Sequence, residues 1–205
     1  MLPTILSDPL FFLFTAVALV VAITMHEFAH AWMADRLGDP TPRVQGRLTL
    51  NPLRHLDPLG TLMLLVTRFG WGKPVEFDPY NLKHPRRDSA TIALAGPASN
   101  LVTAGALSLL LHIVTLPAIL EFFFTTLILF SVTLAIFNLI PIHPLDGGKI
   151  AVGFLPKNIA YEWDMTMHKY GVFILIFMLL PFGNSQSPIS YLLLPVVDGI
   201  LKLLL

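Results

Sequence analysis

The sequence predicts a polytopic membrane bundle of about five transmembrane helices, with a half-depth segment and a small membrane-associated β-sheet. Three observations predict it. The 205 residues are 55% hydrophobic and only 13% charged, and their mean hydropathy of +0.72 is too high for an ordinary soluble domain. Several apolar runs are long enough to cross a bilayer. The basic residues gather in a few connections and are missing from others. With 13 basic and 13 acidic residues the formal net charge is zero, which points away from a nucleic-acid partner. There is no cysteine, so disulfides and thiolate ligands are excluded and His, Asp and Glu are left to bind any metal.

The first run extends from Pro9 to Met25, too long for a signal-peptide core and without a small-residue cleavage pattern. Continued through Trp32 to about Leu37, such a helix is roughly 40 Å long, enough to cross and emerge. Gly38-Asp39-Pro40 stops it. From Thr41 to Asp88 short apolar stretches are broken by proline, glycine and arginine. Val44 to Leu50 alternates as a strand would, and Lys73 to Asp78 reads as a second short strand. Leu59 to Phe69 is apolar but only about half a bilayer long, which suits a re-entrant or packed segment. Spans follow at about Ala90–His112, loosened early by Gly96-Pro97, and at about Ala118–Leu139. A short helix to about Phe154 comes next, then spans at about Lys169–Phe182 and Ile189–Leu204. The chain is read as one domain over 1–205, with a core at about 9–155 and C-terminal helices at about 165–205.

No lysine or arginine precedes Arg36, none lies between Thr91 and Gly148, and none between Val172 and Leu201. The positive-inside rule therefore puts the N-terminus outside and the C-terminus in the cytoplasm of a multi-pass protein of the cell membrane. It also brings the end of the first span and the Asp146 turn to the same, cytoplasmic side.

Chemistry concentrates at His26-Glu27-Phe28-Ala29-His30. Residues i and i+4 share a helix face, so the two imidazoles can meet one ion while Glu27 stands beside it as general base. Three ionisable groups at lipid depth are costly unless a metal, water or partner compensates them. A catalytic zinc takes three protein ligands and leaves a position for water. Asp146, in Pro144-Leu145-Asp146-Gly147-Gly148, is favoured as the third; His143 is the alternative or an outer support, with His55, Asp57 and Glu121 ranked below. His84, His112 and His168 read as interfacial or structural. Asn100 and Asn138 are polar groups at lipid depth. Each can satisfy a carbonyl freed by a broken helix, bind substrate, or donate to an oxyanion.

With these residues in view, the chain resembles the site-2 protease family of intramembrane zinc metalloproteases over most of its length. The likeness rests on His26, Glu27 and His30 together with Asp146 in its Leu-Asp-Gly turn, on Gly96-Pro97-x-x-Asn100, and on Asn138 to Pro141. Gly46 to Pro52 and Gly72 to Val75 resemble the family's membrane-associated strands. The resemblance implies that Asn100 and Asn138 position the substrate, and that the substrate is a transmembrane helix of another membrane protein, cut within the lipid bilayer. One Zn2+ per chain would sit on His26, His30 and Asp146. His143 stands where relatives often carry proline, and no segment is long enough for the PDZ or paired nucleotide-binding modules of larger members, so the chain looks like the short, core-only form. The competing class is a non-catalytic zinc-binding membrane protein or a metal-ion transporter.

Overall fold

A computed structural model describes residues 8–60, 72–181 and 186–205. The long helices are α1 (Pro9–Arg36), α2 (Pro85–Ile113), α3 (Ala118–Asn138), α4 (Asp146–Phe154), α5 (Lys157–Leu179) and α6 (Pro188–Leu204). Asp8 starts α1 by accepting the N–H of Phe11 at 3.0 Å, with Pro9 as its first residue, where a missing N–H costs nothing. Its end at Leu37 is followed by Gly38 at φ 107°, a left-handed conformation that suits glycine.

Among the described residues, α1, α2 and α3 are the helices long and apolar enough to cross a membrane. They pack through small side chains. Ala18, Ala22, Ala31 and Ala34 of α1 are fully buried, while Leu10, Phe11, Leu13 and Val17 point outward. Only 22–28% of the apolar stretches of these helices is buried within the protein. Small-inside and large-outside is the pattern of helices that meet closely in lipid, since the bilayer receives the large apolar groups. The chain is therefore a membrane protein, and its interior is made by close backbone approach. Ala18 and Ala22 meet Leu127 of α3, and Ala104, Ile128 and Val132 receive Val197 of α6. Ile140 and Leu145, in the turn between α3 and α4, pack on Ile189 and the end of α5.

The expected break at Pro97 does not end its helix: α2 runs continuously over 29 residues with Pro97 inside it. The expected span at Lys169–Phe182 is the apolar second half of α5, whose helix begins twelve residues earlier, at Lys157.

The expected sheet is corrected. Val44–Leu50 is not a strand: Thr41–Val44 forms one helical turn, opened by Pro42, and Gly46 at φ 68° turns the chain out of it. Lys73–Asp78 is extended, but among the described residues no ladder forms, only an isolated antiparallel bridge between Leu56 and Gly72. Side chains take the place of a partner strand. Val75 N–H donates to Glu27 at 3.0 Å and Asp78 N–H to Asp39 at 2.7 Å, while the buried Arg47 guanidinium donates to the carbonyls of Arg54 and Lys73. Pro74 has no N–H to offer a ladder. Of the expected half-depth segment Leu59–Phe69, residues 61–69 lie outside the described residues.

Asp39 ties this connection to the end of α1. It is fully buried and accepts from Thr41 N–H at 3.1 Å, Thr41 Oγ1 at 2.6 Å and Asn81 Nδ2 at 2.8 Å, besides Asp78. Burial would raise its carboxyl, but these donors outweigh that and hold it below the ordinary value of 3.8. A carboxyl with a lowered folded pKa contributes stability that is present above its unfolded value and lost as pH falls through the folded one. Asp39→Ala, which leaves four donors without their acceptor, should cost about 2–4 kcal/mol, read as a lower melting temperature in detergent. Asp39→Asn should lose less stability than wild type on acidification below 3.8; equal acid sensitivity would contradict this account.

Candidate metal centre

His26 and His30 lie one turn apart on the buried face of α1, 4% and 7% exposed. Their Nε2 atoms are 3.1 Å apart, and the rings stand nearly perpendicular, at 87°. The connection from α3 brings Asp146 to them. There the chain folds back so tightly that a Cβ on Gly147 would strike the carbonyls of Leu139 and Ile140, and one on Gly148 would come within 3.1 Å of the His143 nitrogen. Asp146 opens α4 with Oδ2 at 3.0 Å from His26 Nε2 and 3.2 Å from His30 Nε2.

The outer nitrogens fix the protons. His30 Nδ1 lies 2.7 Å from the Ile92 carbonyl, to which it can only donate. His26 Nδ1 lies 3.2 Å from Asn100 Oδ1, and Asn100 Nδ2 donates to the Ala22 carbonyl at 3.3 Å, which fixes the amide orientation. In the neutral imidazole a proton on Nδ1 leaves a lone pair on Nε2. Two lone pairs and a carboxylate oxygen thus converge with no proton between them, an arrangement that a cation satisfies. These are the donor types of a zinc site. Among the described residues His26, His30 and Asp146 are the one group of this kind, with ligand atoms within 4.8 Å of one another.

Pro97 removes one N–H from the ladder of α2, that of the bond to Ala93. Gly96 lets the helix press on the imidazoles: a Cβ there would collide with His30 Nε2 and come within 2.8 Å of His26 Cε1. Sequence reasoning gave Gly96 a loosening role and a place in the Gly-Pro-x-x-Asn element, but not this contact with the imidazoles. The signal that could have found it is a glycine on the helix that faces paired histidines.

Glu27 is anchored by Val75 N–H through Oε2 and lines, with His26, His30 and Asp146, a cavity of about 120 Å³. Pro74, Val75 and Phe77 of the extended segment line it too, as do Asn138 and Lys149. Asn138 donates to the Leu134 carbonyl of its own helix at 2.9 Å. Asn100 does not line this cavity; it is fully buried behind His26. The other third-ligand candidates lie apart from the cluster. The His143 ring packs on His168 at 4.1 Å, and His55 is buried with Nε2 on the Thr49 carbonyl at 2.7 Å. Asp57 accepts from Gly60, and Glu121 sits in the first turn of α3.

Peptidase family M50 matches residues 112–182, the stretch that carries Asn138, Asp146 and Lys149. Over 205 residues the chain is 38% identical to "Putative zinc metalloprotease YwhC" of Bacillus subtilis (strain 168), covering 93% of this chain and 90% of that protein. It is 37% identical over 135 residues to "Putative zinc metalloprotease Rip2" of Mycolicibacterium smegmatis, covering 62% of this chain and 52% of that protein. The Rip2 protein of Mycobacterium tuberculosis (strain H37Rv) is 32% identical over 171 residues, covering 80% and 64%. The chain thus spans most of the first relative and about half to two thirds of the other two. No solved structure gives a significant match.

Asn100→Ala frees the His26 tautomer and should weaken metal affinity roughly 10–100-fold, measured by competition with a chelator. Gly96→Ala should reduce metal content further, because its methyl enters the space between the imidazoles; full metal content in a folded Gly96→Ala protein would contradict the packing described.

Proposed function

The chain belongs to peptidase family M50, the site-2 protease family, and from that premise we propose that it is a zinc-dependent intramembrane endopeptidase that hydrolyses peptide bonds within transmembrane segments of other membrane proteins. The observation that carries this reading is the convergence of His26 Nε2, His30 Nε2 and Asp146 Oδ2 with both outer nitrogens already committed. Those three residues would hold one zinc ion per chain. Zinc bound there supplies Lewis acidity, polarising a carbonyl and acidifying water.

The chain's own groups do the rest. Glu27 keeps Oε2 on the Val75 N–H, which aims the carboxylate into the cavity. As general base it takes a proton from the attacking water, and as general acid it returns that proton to the leaving amine. A helix hides its own peptide bonds, so the substrate must unwind before it reaches Glu27. The expected strand at Val44–Leu50 does not exist to receive it. The extended segment Lys73–Asp78, whose Pro74, Val75 and Phe77 line the cavity, is the surface along which an unwound segment would lie. Asn138, at the cavity, suits contact with the substrate once its amide leaves the Leu134 carbonyl. Asn100, with both amide ends engaged by His26 and Ala22, suits a positioning role for His26.

We assign α5 and α6 as fourth and fifth crossings, because Val172, Phe173, Ile176 and Phe177 of α5 and Leu192, Leu194 and Val196 of α6 are exposed apolar side chains. With the N-terminus outside, the metal site then opens toward the cytoplasm. The transporter alternative is not favoured, since the family and the relatives named above are peptidases by description.

The test is zinc content and cleavage measured on one detergent-purified preparation with a transmembrane-segment substrate. Glu27→Gln should retain zinc and lose cleavage roughly 10²–10⁴-fold, whereas Asp146→Ala should lose both. Cleavage by Glu27→Gln at the wild-type rate would overturn the mechanism.

A further inference from the structure

The cavity beside the three ligand atoms carries a cation that the mechanism above does not use. Lys149 stands three residues after Asp146 on α4, so the two side chains share a helix face. That face cannot turn away. Gly153, four residues further on, lies so close to α2 that a Cβ would strike the Ala90 methyl, and Gly147 and Gly148 press on the backbone of 139–143. Lys149 consequently lines the cavity with His26, Glu27, His30, Asn138 and Asp146, and it is the one lysine or arginine among the described residues that do so. Its ammonium lies 4.7 Å from the Phe77 ring centroid. This cation–π contact spans from α4 to the extended segment. Burial pulls the ammonium below the usual lysine range, and Asp146 and Glu27 act to raise it again.

We propose that Lys149 is a catalytic residue of the proteolytic site, whose ammonium donates a hydrogen bond to the scissile carbonyl oxygen as that oxygen gains negative charge. The inference rests on the proteolytic reading. When the oxygen of water adds to the carbonyl carbon, its proton passes to Glu27 and the π pair of the C=O bond moves onto the carbonyl oxygen. Collapse returns that pair to the C=O bond, breaks the C–N bond, and the amine takes its proton from Glu27. The oxygen is an anion only between these two events. A donor aimed at it is strongest there, which is what lowers the barrier. Phe77 suits the resting state of such a donor: the ring retains the charge at the cavity without binding it to a fixed carboxylate, so a carbonyl oxygen can take it over. A lysine that merely neutralised Asp146 and Glu27 would not discriminate between ligands of different shape at the same site.

The experiment uses zinc-loaded full-length protein in detergent, as wild type, Lys149→Met and Lys149→Arg. Its probes are a phosphoramidate dipeptide, which presents a tetrahedral anion, and a planar peptidyl hydroxamate. Zinc content should match wild type in both variants. The phosphoramidate should bind Lys149→Met roughly 10²–10³-fold more weakly and Lys149→Arg within about tenfold of wild type, with the hydroxamate changed only about threefold. Loss of zinc in Lys149→Met, equal weakening of both probes, or no phosphoramidate binding to wild type would each overturn the assignment. The proteolytic reading fails on other samples: a wild type without zinc, or a Glu27→Gln variant that still cleaves.

Discussion

Two imidazole nitrogens 3.1 Å apart, each with its proton held on the far side of the ring, are the constraint around which the helices are arranged. Left alone, two facing lone pairs repel, and an ionised Asp146 at 3.0 and 3.2 Å adds to the negative potential there. The chain accepts this arrangement because the outer nitrogens have better places for their protons. Ile92 offers a carbonyl to His30 and Asn100 offers its amide oxygen to His26. Protonating an Nε2 would relieve the repulsion, but a cation that all three atoms share relieves it without adding a second proton to either ring. Structure and chemistry therefore point at the same occupant.

Helix packing in lipid makes such a centre affordable to build only where backbones meet closely. Water does not drive these helices together, so contact depends on shape and on a few polar ties. Between α1 and α2 the shape comes from alanines and from Gly96, which leaves room for the rings and nothing else. The ties come from Asn100 to the Ala22 carbonyl and from Ser99 to the Met25 carbonyl at 3.3 Å. Both lie within a turn of His26. The elements that join the helices are thus the ones that orient the histidine, and a change made to weaken packing also disturbs the donor set.

How far the sequence discloses this depends on how local each feature is. The pairing of His26 with His30 is a property of helix period, so five consecutive residues suffice to see it. Asp146 is legible because an acid in a Gly-Gly turn at the end of an apolar span has few other uses. The ends of α1 and α3 are marked by Gly38 and by Pro141. The strands misled because alternation at 44–50 is also local, whereas the competitors for that backbone are distant in sequence. Glu27 and Asp39 lie 48 and 39 residues from the N–H groups they accept. Pro42 and Gly46 had already favoured a turn. The engagement of Asn100 with His26 spans 74 residues, which no local pattern carries. The packing role of Gly96 is invisible for the same reason, since a missing side chain leaves no signature until its neighbour is known.

The donor set is divided between two parts of the fold, and the division has an energetic consequence. His26 and His30, with their outer partners, belong entirely to the α1–α2 pair. Asp146, Asn138 and Lys149 all come from the end of α3 and the start of α4, held to α2 through Gly153 against Ala90. The apolar groups of the connecting turn, Ile140 and Leu145, are buried against α5 and α6. A metal ion held by His26, His30 and Asp146, as proposed, would bridge two packing units, and its binding free energy would add to whatever holds them together. By the same linkage, a partner or substrate that separated α4 from α2 would weaken metal binding.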